Sequence, residues 1–284
     1  MPNYKLTIEY EGTNYHGWQR QKSKVTVQEV IEKTLEKIFK QKITLMGQGR
    51  IDAGAHALGQ VANFKVYPVR NRSSAIASVA GDRKEISPAR FRKAGGKAIP
   101  ISNRIHPLNL KKALNSMLPL DIRIKDAQIA DDKFHARYSA RTRHYRYIVY
   151  NDELSVWLRK FAYFYPYYLN IKQMKEGAKW LLGKHDFSCF QSTGSPVKST
   201  VKTIKSVEIK KENLNFPGKV SVIKFDIEAD AFLYRMVRNM VGALLEIGRG
   251  KIPPDEIEEI LKGRTKRRSQ TIPAYGLYLI DVKY

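Results

Sequence analysis

Gly49-Arg50-Ile51-Asp52-Ala53-Gly54-Ala55-His56-Ala57-Leu58-Gly59-Gln60 is the most informative stretch of this chain. Three glycines and three alanines in twelve residues let the backbone approach a bulky partner closely and reach conformations closed to larger residues. In their midst a single carboxylate, Asp52, sits two residues after an arginine, Arg50. Two readings of Asp52 are open from the residues alone. One is a turn residue that bonds its own backbone. The other is a nucleophile or base held in a loop between two strands, within a segment that spans about 43–66.

Outward from that loop, hydrophobic periodicity places the other elements. Tyr4, Leu6, Ile8 and Tyr10 alternate with Lys5, Thr7 and Glu9, which predicts a strand with one apolar face. Val27, Val30, Ile31, Leu35, Ile38 and Phe39 form a helical stripe, and Thr26 with Glu29 predicts a capping box at its start. Helices are also predicted over 109–118, over 171–182 with Asn170 as N-cap, over 232–247 and over 255–261. Strands are expected over 143–150, 221–227 and 277–284. Strands and helices alternate without the regular spacing of parallel βα units, so the fold class is α+β with mostly antiparallel sheets. The segment 69–103 has no sustained period and carries eight basic and two acidic residues; it reads as a mobile insertion.

Composition narrows the function. The chain has 284 residues, 43% of them hydrophobic, enough for a substantial core. Its 51 Lys and Arg against 27 Asp and Glu leave a net charge of +24, which points to a polyanionic partner, nucleic acid first. The apolar stretch 232–247 is interrupted by Arg235 and Arg238, so no membrane span is expected, and the first residues lack the pattern of a signal peptide. One cysteine, Cys189, excludes an intrachain disulfide framework and any Cys-rich zinc module. The six histidines show no metal-ligand spacing, so no metal is expected. No phosphate-binding loop, dinucleotide fingerprint or serine nucleophile elbow is present, so no small-molecule cofactor is expected. These features together describe a basic protein of the cytoplasm.

Five segments in order then carry a resemblance. Gly49 to Gln60 resembles the catalytic motif of the TruA family of tRNA pseudouridine synthases, with Ile51 where threonine is usual. Tyr15-His16-Gly17-Trp18-Gln19-Arg20-Gln21 resembles the family's N-terminal motif. Phe134-His135-Ala136-Arg137-Tyr138-Ser139-Ala140, followed by Tyr145-Arg146-Tyr147, resembles its second motif, and Phe232-Leu233-Tyr234-Arg235-Met236-Val237-Arg238-Asn239-Met240-Val241-Gly242 its third. Pro273-Ala274-Tyr275-Gly276-Leu277-Tyr278-Leu279 resembles its C-terminal signature. The likeness spans the chain apart from the insertion.

That resemblance implies the pseudouridine-synthase fold: two related halves, 1–130 and 131–284, each a sheet with helices, around a basic cleft. It implies Asp52 as the nucleophile that isomerises uridines 38 to 40 of the tRNA anticodon stem-loop. Its attack on C6 of the base, its attack on C1′ of the ribose and removal of the C2′ proton are all compatible with a carboxylate. Tyr145 is expected to stack on the flipped base, with its hydroxyl available for proton transfer. Arg238 is expected beside Asp52, keeping the carboxylate charged and oriented. Arg50 is expected to touch the phosphate backbone or open the stem, and Arg20, Arg137, Arg141 and Arg143 are candidate RNA contacts. A homodimer is implied. The rival reading is a non-catalytic RNA-binding or tRNA-folding protein on the same scaffold.

Overall fold

The computed structural model describes residues 1–67, 105–194, 198–215, 219–265 and 270–284. The expected insertion at 69–103 lies outside them. Four strands and two helices come from the first part of the chain: β1 (Asn3–Tyr10), α1 (Val27–Phe39), β2 (Met46–Gly47), β3 (His56–Lys65), α2 (Pro107–Met117) and β4 (Ile122–Ala130). The rest supplies β5 (Thr142–Tyr150), β6 (Tyr163–Phe164), α3 (Ile171–Lys179), β7 (Gly183–Asp186), β8 (Val201–Leu214), β9 (Val220–Ala229), α4 (Met236–Gly248), α5 (Glu256–Leu261) and β10 (Leu277–Lys283).

The strands form one continuous mixed sheet in the order β4-β1-β3-β10-β5-β9-β8-β7, with β2 added to β3 and β6 to β5. The strands of the two halves are joined by this continuity into a single sheet. The pairings are antiparallel except β3 with β10 and β5 with β6. The seam is short. β10 meets β3 through only two residue pairs, Tyr278 with His56 and Leu279 with Ala57, while its other edge pairs along its length with β5. Gly59 permits the close approach there: a Cβ on it would stand 2.4 Å from the Ile280 carbonyl oxygen.

The alternation read in the first strand holds. Tyr4, Leu6, Ile8 and Tyr10 are buried on the face that α1 and α2 cover, with Val27, Ile31, Leu35, Leu110 and Leu114 opposite. The expected capping box does not form. The Thr26 hydroxyl is buried without a partner, and Glu29 pairs with Lys33 at 2.8 Å. The reason is tertiary. The amides of Val27 and Gln28, orphaned at the helix start, donate instead to the carbonyls of Gly17 and Trp18 in the preceding loop. Asn170 does cap α3, accepting from the Gln173 amide at 3.1 Å.

Helix α4 begins at Met236, later than its apolar stripe suggests, because Arg235 takes a left-handed conformation at φ 59° and interrupts the helix there. Periodicity missed β4 and the long β8. Both lie toward a sheet edge and bury few residues, without regular alternation, so neither shows a clear apolar pattern.

Candidate active site

The glycine and alanine loop follows β2 and leads into β3. Tyr15 and Trp18 hold it from beneath: the Gly54 amide donates to the Tyr15 carbonyl at 3.3 Å and the Trp18 amide to the Ile51 carbonyl at 3.2 Å. Trp18 is fully buried, stacked on Tyr10 and seated against Gly47. The loop closes as a turn in which the Ala55 amide donates to the Asp52 carbonyl at 3.2 Å, and Gly54 takes φ +79°. The backbone of Asp52 therefore forms the turn, and its carboxylate takes no part in it.

His56 anchors the far end of this loop. Its Nδ1 accepts from the Gly12 amide at 3.1 Å, which leaves the proton on Nε2. Nε2 then donates toward the carbonyls of Lys160 at 2.9 Å and Tyr275 at 3.1 Å. The ring is stacked on Tyr278 and buried, and burial lowers its pKa below the ordinary 6.5. A neutral imidazole thus ties the loop to three chain segments.

Arg238, in the first turn of α4, reaches the Asp52 carboxylate across 186 residues of sequence. Its Nη1 donates to Oδ2 at 2.6 Å, and its Nε donates to the Ile272 carbonyl at 2.7 Å. The two side chains are only 11% and 16% exposed. The planar guanidinium, fixed at one edge by a backbone carbonyl, aims its other edge at the carboxylate.

Around the pair lies a cleft of about 530 Å³, within the size range of small-ligand sites. Its walls come from the 47–52 segment, from Arg137, Arg143 and Tyr145, and from 231–238. Tyr145, on β5, is 8% exposed and packs edge-on against Phe232, with ring centroids 5.1 Å apart. Burial pushes its phenol up to about 12; the Asp52 charge adds to that rise, and Gln48 and Arg143 oppose it. It is therefore a neutral hydroxyl at neutral pH. Behind it sits Tyr10, whose hydroxyl is buried without a partner and whose pKa is raised by burial and by the nearby Tyr145 and Asp52.

The structure sorts the predicted arginines. Arg50 and Arg137 are exposed at the cleft wall. Arg20 is half exposed outside that wall, 3.4 Å from Glu32, a buried carboxylate on α1. Arg143, half-buried, lines the cleft and is tied into the structure. It donates to the carbonyls of Ala140, Asp230 and Arg137 and to the Gln48 side chain, so it holds the cleft's floor together. Sequence reasoning did not single out Gln48 or the Ile272 carbonyl; it read Tyr10 only as an apolar position and Phe232 only as part of a helix and of the third motif. Nothing in a local pattern separates such residues from ordinary core or turn positions.

The site thus sets a carboxylate and an arginine beside a buried tyrosine in a cleft walled by further arginines. Comparison with known proteins places the chain in a family. A family model described as tRNA pseudouridine synthase matches residues 6–139 and 178–284. The chain is 42% identical over 286 residues to tRNA pseudouridine synthase A of Acetivibrio thermocellus, with all of both chains covered. It is 40% identical to the protein of that name from Thermoanaerobacter pseudethanolicus, again over the full length of both. The counterpart from Limosilactobacillus reuteri is 37% identical over 290 residues, covering all of this chain and 97% of that one. A chain from a Cbf5-Nop10-Gar1 complex aligns at 10% identity and a TM-score of 0.28, over 86% of this chain and 54% of that one, too slight a likeness to bear on the fold. The chain belongs to the tRNA pseudouridine synthase family, whose members isomerise uridine to pseudouridine in tRNA.

Proposed function

We propose that this enzyme isomerises uridines 38 to 40 in the anticodon stem-loop of tRNA, with Asp52 as its nucleophile. The observation that carries this reading is the Asp52–Arg238 pair at 2.6 Å in a cleft shared with Tyr145. The reaction breaks the bond from C1′ to N1 and makes one from C1′ to C5; the proton lost from C5 is balanced by one gained at N1. No atom enters or leaves overall. A carboxylate suits the task because it can carry a transient bond or a proton while the base turns.

The target base leaves the helical stack to reach the cleft. Tyr145 gives it an aromatic wall, and its hydroxyl keeps its proton through neutral pH, so it serves as a donor. Arg238 holds the carboxylate in one direction. Arg50 and Arg137, exposed at the cleft wall, are placed to meet phosphates, and Arg20 extends that basic surface. The division into halves 1–130 and 131–284 fits this arrangement: the first brings Asp52 and the second brings Tyr145 and Arg238. A net charge of +24 supports a polyanionic substrate.

A homodimer working in the cytoplasm completes the reading. Leu154, Val156, Trp157 and Tyr168, all at least 66% exposed, give the 151–170 segment an apolar surface suited to a second copy. The non-catalytic alternative has no use for a buried carboxylate facing a base-sized cleft. The test is to incubate the protein with an unmodified tRNA transcript and map pseudouridine by position. Product at 38 to 40 that disappears with Asp52→Asn supports the reading; product confined to other positions, or none, overturns it.

A further inference from the structure

Gln48 is the last residue before Gly49 in the loop, and its amide bonds the Val61 carbonyl at 2.9 Å. It is 3% exposed and lines the cleft with Asp52 and Tyr145. Its side chain has a determined orientation. Arg143 offers donors only, and its Nε donates to Gln48 Oε1 at 3.3 Å. Arg143 is itself fixed by the carbonyls of Ala140, Asp230 and Arg137. The amide oxygen of Gln48 must therefore face Arg143, and its NH2 group must face the other way.

That nitrogen is buried, and among the described residues no acceptor meets it in good hydrogen-bond geometry; the oxygen it faces is the Tyr145 phenol. A buried donor without a well-placed partner is costly and calls for an explanation. The neighbours suggest one. The Gln48 side chain is directed at the Tyr145 phenol oxygen, and that polar contact opposes the effect of burial on the phenol. A base stacked on Tyr145 brings its polar edge to the same place. Uracil carries two carbonyl acceptors, at C2 and C4. Cytosine replaces the second with an amino group, whose hydrogens would meet those of Gln48.

We infer that Gln48 reads the flipped base, donating its side-chain N–H to a carbonyl oxygen of uracil in the cleft. The inference rests on the reading that the cleft takes a flipped uridine. Arg143 then acts as a positioning residue: it sets which end of the amide meets the base. Discrimination follows because a base without an acceptor at that point leaves the buried donor unpaired.

The alternative is that Gln48 only fills space beside Tyr145. The two differ in what glutamate would do. Glu is isosteric and would pair with Arg143 more strongly, so packing alone predicts that Gln48→Glu is tolerated. Base reading predicts that it fails, because the donor is gone.

The experiment uses anticodon stem-loop RNAs with uridine, 2-thiouridine or 4-thiouridine at one target position. Single-turnover rates are measured for the wild-type chain, Gln48→Glu and Gln48→Met, with RNA affinity and melting temperature recorded for each. A thiocarbonyl is a weaker acceptor than a carbonyl. The wild-type enzyme should slow about tenfold with one of the two thio-bases, that being the loss of roughly one hydrogen bond. Gln48→Met should slow about tenfold on uridine and lose that thio-penalty, while RNA affinity stays within about threefold, since phosphates carry most of the binding. Gln48→Glu should be at least as slow as Gln48→Met and melt no lower than the wild type. A Gln48→Glu variant as fast as the wild type, or a thio-penalty unchanged in Gln48→Met, overturns the inference. Failure of the wild-type enzyme on plain uridine is a separate result, and overturns the functional reading instead.

Discussion

Replacing Arg238 by alanine removes two hydrogen bonds at once: 2.6 Å to Asp52 and 2.7 Å to the Ile272 carbonyl. Both charged side chains are nearly buried, so solvent offers little compensation. Breaking one partner of a buried pair costs about 3–5 kcal/mol. The cleft opens to water on one side, so the low end applies, about 3 kcal/mol, with about 1 more for the unpaired carbonyl. For a chain of this size each kcal/mol lowers the melting temperature by about 2–4 °C, so Arg238→Ala should melt about 8–16 °C lower. The catalytic consequence comes on top. A carboxylate without its guanidinium can swing away from the base, and the single-turnover rate should fall at least tenfold, about 1.4 kcal/mol of barrier.

Loss of fold and loss of chemistry are separated by assaying below the variant's melting temperature at saturating tRNA. Arg238→Lys should fall between the two, because one ammonium keeps the charge but cannot serve Asp52 and the Ile272 carbonyl in the same plane. Arg235→Ala is the control. Arg235 lines the same cleft three residues earlier, but its guanidinium lies 4.8 Å from the Tyr234 ring centroid. If Arg238→Ala and Arg235→Ala showed equal, small changes in rate and melting temperature, the pair would have no special role and the argument would be wrong.

Asp52→Asn keeps the side chain's size and an acceptor for Arg238 while removing the charge; it should abolish pseudouridine formation with tRNA affinity within a few-fold, and a variant retaining more than about one per cent of the rate would rule out the nucleophile. Binding of tRNA should weaken steeply between about 50 and 200 mM salt, with a log–log slope of roughly −0.7 to −0.9 per phosphate contact, and a flat response in a filter-binding titration would reject the basic surface. His56 gives a pH test. Its pKa is lowered in the fold, so the unfolded chain takes the proton first as pH falls, and the contribution present above about 6.5 is lost progressively below it. The stability advantage of the wild-type chain over His56→Gln should therefore shrink between about pH 7.5 and 5.5 in urea unfolding, and a difference constant across that range would refute it.

Much of the architecture follows from local pattern. The alternation in Tyr4 to Tyr10 and the stripe from Val27 to Phe39 are set by burial on one face, and that requirement is written directly into residue order. Asn170 caps its helix because an Asx side chain meets a nearby amide whatever the rest of the chain does. The ordered motifs were legible as well, through resemblance, and they named Asp52, Tyr145 and Arg238 before any contact among them was known.

Apart from the Asp52–Arg238 pair, expected through resemblance, contacts between distant segments were not legible. Thr26 and Glu29 satisfy the pattern of a capping box, yet the first amides of α1 go to Gly17 and Trp18, because the loop folds over the helix end. Arg143 reads as one more basic strand residue, and only the packed structure shows its donors spent on Ala140, Asp230, Arg137 and Gln48. The same holds for the seam at which β10, the last strand of the chain, enters between β3 and β5 and joins both parts into one sheet. Composition and periodicity determined that the protein is a basic α+β protein with a small-residue loop around one carboxylate. Which arginine is consumed in the floor beneath that carboxylate and how the amide of Gln48 is turned were decided by tertiary structure, because hydrogen-bond donors are allotted by proximity in space and leave no local signal in residue order.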